Sequence, residues 1–135
     1  VCIKPTTYMN LSGKAFKYWL DKEKLDLAQT LTIVDELAIP LDALRLRGSG
    51  GAAGHNGLRD IELTLGTQEY ARLRFGLGND FPKGQQVDFV LGRWKPSEQA
   101  LVDKKILACG EIIEAFCTQG LQPAMNLANS WRFTH

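Results

Sequence analysis

Strand-like and helix-like segments alternate along the chain, and this alternation limits the possible folds more than any other feature. The predicted strands are short runs, either apolar or alternating apolar with basic residues: Val1–Ile3, Leu31–Val34, Ala43–Arg47 and Ala71–Leu77. The predicted helices are Leu11–Lys22, Asn56–Leu65, a long helix capped by Ser97 and ending at Gly120, and a short one starting near Pro123. This order favours an α/β fold, a single three-layer domain over residues 1–135 with a mixed, mainly parallel sheet flanked by helices.

Composition places the chain among ordinary globular domains. Its 135 residues are 44% apolar and 23% charged, enough to bury a core without disulfides or metal. Three cysteines, Cys2, Cys109 and Cys117, have no metal-type spacing and are expected to be reduced. The sequence contains no membrane span or secretion signal, so a cytoplasmic protein is expected. Because it opens directly on an apolar strand at Val1, we expect an N-terminally truncated or processed domain.

Two polar groups follow predicted strands, where α/β proteins often hold ligands. The β-branched run Leu31–Val34 is typical of a buried parallel strand. Asp35 follows it, and its carboxylate could orient an imidazole or simply be a loop carboxylate. Tyr8, Met9 and Asn10 stand at a strand-to-helix junction. The carboxamide of Asn10 can both donate to and accept from an ester or amide group, but it could equally cap the following helix.

A glycine-rich loop, residues 48–54, leads into a helix that begins with His55 and Asn56. Such a loop can cradle a phosphate through backbone amides, although it matches neither a P-loop nor a dinucleotide fingerprint. The flanking glycines favour exposure of both the His55 and Asn56 side chains. No role is assigned to His135.

The charged residues and the absence of known catalytic motifs limit which partners and reactions the sequence can indicate. The net charge is only +1, but five arginines fall within a short stretch that could be an RNA surface or ordinary solvated residues. They are Arg45, Arg47, Arg59, Arg72 and Arg74. The chain has no Gly-x-Ser-x-Gly motif, and its two distant histidines make a poor metal site.

Both polar motifs resemble signatures of the bacterial peptidyl-tRNA hydrolases. Lys4–Gly13 is similar to Lys-Pro-x-Thr-Tyr/Phe-Met-Asn-x-Ser-Gly, and Gly50–Leu58 to Gly-Gly-x-x-Gly-His-Asn-Gly-Leu. Three further matches occur in the same order as in the family: Asp35–Pro40, Arg72–Gly78 and Phe89–Gly92. The resemblance therefore covers essentially the whole chain.

The resemblance implies hydrolysis of the ester between peptide and tRNA by a monomer, with no metal or cofactor. It gives catalytic roles to Asn10, Asp35 and Asn56, and places Tyr8, Met9, Asn10, His55 and Asn56 against the substrate. It assigns contacts with tRNA phosphates to Arg47, Arg74 and Lys83. The Asp35 position orients the family's catalytic histidine.

That histidine belongs to an Arg-His-Asn stretch with no counterpart in residues 1–135. His55 already matches a different family position, so we expect this chain alone to be inactive. One alternative is a non-catalytic RNA-binding homologue of the same fold, of which plant splicing factors are a precedent. Retention of Asn10, Asp35 and Asn56 together argues against it. A second alternative, an unrelated phosphate-binding domain, rests only on the glycine-rich loop.

Overall fold

The computed structural model describes residues 1–131, so His135 lies outside the described residues. Within that range the chain forms five α-helices and three strands. The strands are β1 (Leu31–Glu36), β2 (Leu44–Arg47) and β3 (Ala71–Gly76), and the helices are α1 (Ser12–Lys22), α2 (Asn56–Leu65), α3 (Gln86–Leu91), α4 (Pro96–Gln119) and α5 (Leu121–Ser130). Short 3₁₀ turns span Met9–Leu11 and Leu27–Gln29. The predicted α/β class is confirmed.

The chain divides into two compact units. The motif unit comprises Val1–Thr32 and Gly48–Ala71, and the sheet unit comprises Ile33–Arg47 and the chain from Arg72 onward. Each unit is described by itself below. The single domain expected from the sequence stays a prediction.

In the motif unit, α1 packs on α2. The buried face of α2 carries Leu58 and Ile61, with relative exposures of 0% and 4%. Tyr70 closes this core, because its hydroxyl donates to the Leu58 carbonyl at 3.3 Å and its ring meets Phe16 edge-on. The α2 helix ends at Gly66, whose left-handed backbone (φ 72°) favours glycine.

In the sheet unit, the strands form a mixed sheet in the order β1-β3-β2, with β2 antiparallel to β3. Leu44 and Leu46 point into the core while Arg45 and Arg47 alternate with them, as the sequence predicted. The open edge of β2 is covered by Asn129 of α5. Its carboxamide accepts from the Leu46 N–H at 2.8 Å and donates to the Leu46 carbonyl at 3.0 Å, replacing a neighbouring strand.

Several local predictions were wrong. Val1–Ile3 forms no strand, since no strand lies beside it among the described residues. Ile33 of β1 was expected to be buried but is 47% exposed, because an apolar run does not report whether its face is covered. Ser97 lies inside α4, and Lys95 holds the cap position with its N–H donating to Glu98 Oε1 at 2.9 Å.

Candidate active site

The first motif folds into a tight 3₁₀ turn that runs directly into α1. Ser12 Oγ donates to the Met9 carbonyl at 2.6 Å and fixes this turn. Asn10 lies inside the turn, and the cap position of α1 is Leu11, which makes no side-chain capping bond. The capping role considered for Asn10 is therefore wrong. Its exposed carboxamide has no hydrogen-bond partner within residues 1–131.

The second motif begins in a loop with unusual backbone geometry. Gly54 has a φ of 83°, and Ala53 holds the left-handed region at φ 52°, which is uncommon for a residue with a Cβ. The His55 N–H then donates to the Ala52 carbonyl at 2.9 Å, turning the chain into α2. Asn56 is the first residue of α2, and its exposed carboxamide makes no hydrogen bond in the described part of the chain.

His55 is the cap of α2. Its Nδ1 accepts a hydrogen bond from the Leu58 N–H at 3.2 Å, satisfying one of the free amides of the first helical turn. A neutral imidazole that accepts at Nδ1 carries its proton on Nε2. In this arrangement the Nδ1 lone pair of His55 is occupied by the Leu58 N–H, so Nδ1 is not available to accept a proton from water.

The two motifs touch within the motif unit, at a glycine. Gly57 is buried, and a Cβ at this position would lie 2.5 Å from Met9 Sδ and 3.0 Å from His55 Cε1. Only glycine lets the Met9 thioether and the His55 ring approach this closely. Asn10 follows Met9, and Asn56 precedes Gly57, so this contact brings the two asparagines into one neighbourhood. Sequence reasoning did not single out Gly57, although the unbroken run from Gly54 to Leu58 was a signal.

In the sheet unit, Asp35 lies half-buried near the end of β1. The next residue, Glu36, is buried, and its Oε1 lies 3.6 Å from Arg74 Nε. The Arg74 side chain is only 17% exposed, so much of the predicted phosphate-binding group is committed to this carboxylate. Glu36 was missed in the sequence; its place beside Asp35 at a strand end was the available signal.

The basic residues expected to form an RNA surface differ in how exposed they are. Arg47, at the end of β2, and Lys83 are exposed, whereas Arg72 is fully buried with 1% exposure. For Arg72 the reading as an ordinary solvated arginine was therefore wrong, because β3 places it inside the sheet unit.

A buried lysine was not anticipated. Lys105 of α4 donates through Nζ to the carbonyls of Leu41 (2.6 Å) and Gly76 (2.7 Å), and Nζ lies 3.9 Å from the centre of the Phe75 ring. Burial lowers the pKa of Lys105 to about 8, an effect partly offset by Cys109 and Asp42. The sequence signal was the helical spacing of Lys105 within an otherwise apolar face of α4.

Within residues 1–131 no cluster of three or more His, Cys, Asp or Glu side chains is arranged to hold a metal ion. None of the described helices is both long and apolar enough to cross a membrane. The three cysteines are free thiols, as predicted.

Comparison with known proteins shows in which family these motifs occur. The family model described as peptidyl-tRNA hydrolase matches residues 1–135. A peptidyl-tRNA hydrolase of Phocaeicola vulgatus is 51% identical over 129 residues, which cover 96% of this chain and 69% of the relative. That of Porphyromonas gingivalis is 50% identical over 129 residues, covering 96% of this chain and 70% of the relative.

Solved structures agree with these sequence matches. The crystal structure of peptidyl-tRNA hydrolase from Acinetobacter baumannii superimposes with a TM-score of 0.85 at 32% identity, covering 95% of this chain and 65% of that chain. The present chain thus spans slightly less than two thirds of that solved protein. These comparisons give no support to the expectation that the chain is inactive on its own.

Proposed function

The chain belongs to the peptidyl-tRNA hydrolase family, and on this basis we propose that the protein hydrolyses the ester joining a peptide to the 3′ end of tRNA. The oxygen of water bonds to the ester carbonyl carbon, and the bond from that carbon to the ribose oxygen breaks. The ribose oxygen takes a proton, which releases tRNA and a peptide with a free carboxyl group. The observation that carries the proposal is the pair of exposed carboxamides, Asn10 and Asn56. Neither has a hydrogen-bond partner within residues 1–131, and they lie on two segments in contact.

The two carboxamides suit the polar demands of this reaction. An amide N–H₂ can donate to the carbonyl oxygen as negative charge develops there, and an amide oxygen can accept from water or from a peptide N–H. Since neither Asn10 nor Asn56 has a competing partner among the described residues, neither must break a bond to meet the substrate. We assign Asp35 the third catalytic role. It orients the imidazole of the histidine in the family's Arg-His-Asn stretch, and that imidazole activates water.

Three neighbouring side chains complete the substrate contact. Tyr8 and Met9 are 81% and 52% exposed beside Asn10, and we assign them to the wall against which the peptide end lies. His55 supports this wall instead of acting as the base, because its Nδ1 already accepts from the Leu58 N–H.

The RNA part of the substrate calls for exposed cations. Arg47 and Lys83 meet this requirement, and we propose that both contact tRNA phosphates. Arg74 was predicted to do the same, but its pairing with Glu36 suits a role in holding β1 and β3 better. Since peptidyl-tRNA arises during translation, we place the protein in the cytoplasm, acting as a monomer.

The direct test is turnover of an N-acetylaminoacyl-tRNA by the full-length protein, followed as release of deacylated tRNA. We expect hydrolysis by the wild type, and losses in kcat/KM of about 100-fold or more for Asn10→Ala and Asn56→Ala. Because neither carboxamide has a hydrogen-bond partner among the described residues, the free energy of unfolding of these variants should stay within about 0.5 kcal/mol of the wild-type value. Gln122→Ala, an exposed amide on α5, is the matched control and should leave turnover unchanged.

The second candidate function is RNA binding without chemistry. Tight binding of the same tRNA with no ester cleavage by the wild type would favour it and reject the hydrolase. Full activity in both Asn10→Ala and Asn56→Ala would keep the reaction but reject the roles given to these residues.

A further inference from the structure

Asp60 links the two motifs at a second point. Its Oδ2 accepts a hydrogen bond from the Gly13 N–H at 2.7 Å, across 47 residues of sequence. Gly13 lies in the first turn of α1, where backbone amides have no partner within the helix. A carboxylate at the positive end of a helix makes a strong, charge-assisted bond with such an amide.

This second point is as tightly packed as the first. A Cβ at Gly13 would lie 2.6 Å from the Asp60 carbonyl oxygen and would also collide with the Thr64 side chain. Gly13 is therefore a place where α1 touches the backbone of α2 directly. Together with Gly57, against which the Met9 thioether packs, it gives two close contacts between the same pair of segments.

Two contacts define both the spacing and the direction of one segment against the other. Asp60 follows Asn56 by four residues on α2 and so lies on the same helical face, one turn further along. Gly13 follows Asn10 by three residues. The contact of Met9 with Gly57 thus holds the two segments together beside the two asparagines. The bond between Asp60 and Gly13 holds the same segments together about one helical turn further along α1 and α2.

We propose that Asp60 is a positioning residue for ester hydrolysis, holding the Asn10 turn at a set distance and angle from Asn56. This inference rests on the proposed function. Asp60 contacts backbone and not substrate, so it acts only through Asn10 and Asn56. Catalytic groups must be placed to within a fraction of an ångström, and misplacement by about 1 Å can cost 100-fold in rate.

The test compares Asp60→Ala with Asp60→Asn on N-acetylaminoacyl-tRNA. Asp60→Ala removes the acceptor, and we expect kcat to fall about 10-fold to 100-fold while KM changes less than about threefold. Asp60→Asn keeps an acceptor oxygen, and its kcat should stay within about threefold of the wild type. Asp21→Asn, an exposed acid on α1 paired with Lys17, is the matched control with unchanged kinetics. If Asp60→Ala does not fold, Asp60→Ser replaces it, because a hydroxyl one bond shorter cannot reach the Gly13 amide.

Amide NMR gives a readout that does not depend on turnover. The Gly13 N–H resonance should lie downfield in the wild type and in Asp60→Asn, and move upfield in Asp60→Ala. The side-chain amide signals of Asn10 and Asn56 should shift with it in Asp60→Ala only. A variant that lost stability while its folded fraction kept the wild-type kcat and unshifted asparagine signals would reduce Asp60 to a structural cap and overturn the proposal.

Failure of this inference is distinguishable from failure of the proposed function. A wild type that leaves the ester intact rejects hydrolysis itself, and with it a positioning role in that reaction. An active wild type with equally active Asp60→Ala rejects only the role of Asp60. Equal losses in Asp60→Ala and Asp60→Asn would also contradict it, since the acceptor oxygen would then be irrelevant.

Discussion

Polar side chains of the motif unit and of the sheet unit differ in exposure and in whether they have partners. In the motif unit, the carboxamides of Asn10 and Asn56 are exposed and without partners among the described residues, on a backbone tightly constrained by glycine contacts. In the sheet unit, the charged groups of Lys105 and Glu36 are buried, and each has partners.

If the proposed function is correct, this difference separates side chains that meet the substrate from side chains that stabilise the fold. A buried charge must be paired, because leaving it alone in the interior costs several kcal/mol, so its presence says little about catalysis. An exposed amide has no such requirement and can be held ready by the backbone around it. The exposed carboxamides of Asn10 and Asn56 and the buried charges of Lys105 and Glu36 should therefore respond differently to substitution: loss of turnover for the carboxamides, and loss of stability for the buried charges.

The largest effect is expected at Gly76 in the sheet unit. A Cβ there would lie 2.8 Å from the Ala43 carbonyl oxygen and would also collide with that of Pro40, both of them backbone atoms. Gly76→Ala should lower the free energy of unfolding by about 3 kcal/mol or more, measured by urea titration. Gly110→Ala is the control: it is a helical glycine with open space around it, so alanine should stabilise α4 by about 0.5–1 kcal/mol. Equal effects at the two positions would contradict the close backbone approach at Gly76.

The next effect concerns Lys105 and pH. Its pKa in the folded chain is about 8, against the ordinary lysine value of 10.5, so above about pH 8 the unfolded state binds more protons than the folded state. The stability of the wild type relative to Lys105→Met should therefore rise with pH, by about 1 kcal/mol between pH 7 and pH 9. Burial raises the pKa of the Cys109 thiol, an effect partly offset by Lys105.

Urea unfolding at three pH values measures this difference, and Lys104→Met supplies the comparison. Lys104 is exposed on the same helix, so its replacement should leave the pH dependence unchanged. A difference between wild type and Lys105→Met that falls or stays flat as pH rises would show that the amine is not buried as described.

The smallest effect is expected at a surface pair in the motif unit. Lys17 Nζ lies 3.3 Å from Asp21 Oδ2 on α1, with both side chains more than half exposed. Lys17→Ala should change the unfolding free energy by no more than about 0.5 kcal/mol and leave turnover intact, since water screens such pairs. A loss of turnover here would mean that charge on α1 matters more than the bonds at its first turn.

Much of the secondary structure could be predicted because the residue spacing of a helix and the alternation of a strand show within a few residues of sequence. The spacing of Leu58, Ile61 and Leu65 predicted α2, and the alternation around Leu44 and Leu46 predicted β2. The α3 helix was not predicted, because six residues are too few to display a helical period. Ser97 was misplaced as a cap because proline at the first helical position moves the cap to the residue before it.

The sequence by itself determined the family, through ordered motifs whose residue types are recognisable without coordinates, and with them the candidate residues Asn10, Asp35 and Asn56. The tertiary structure alone decided that Arg72 and Lys105 are buried and that Asp60 meets Gly13. The physical reason is range. Propensity and periodicity act over a few residues, whereas partners such as Asp60 and Gly13 meet only once α1 and α2 have packed together.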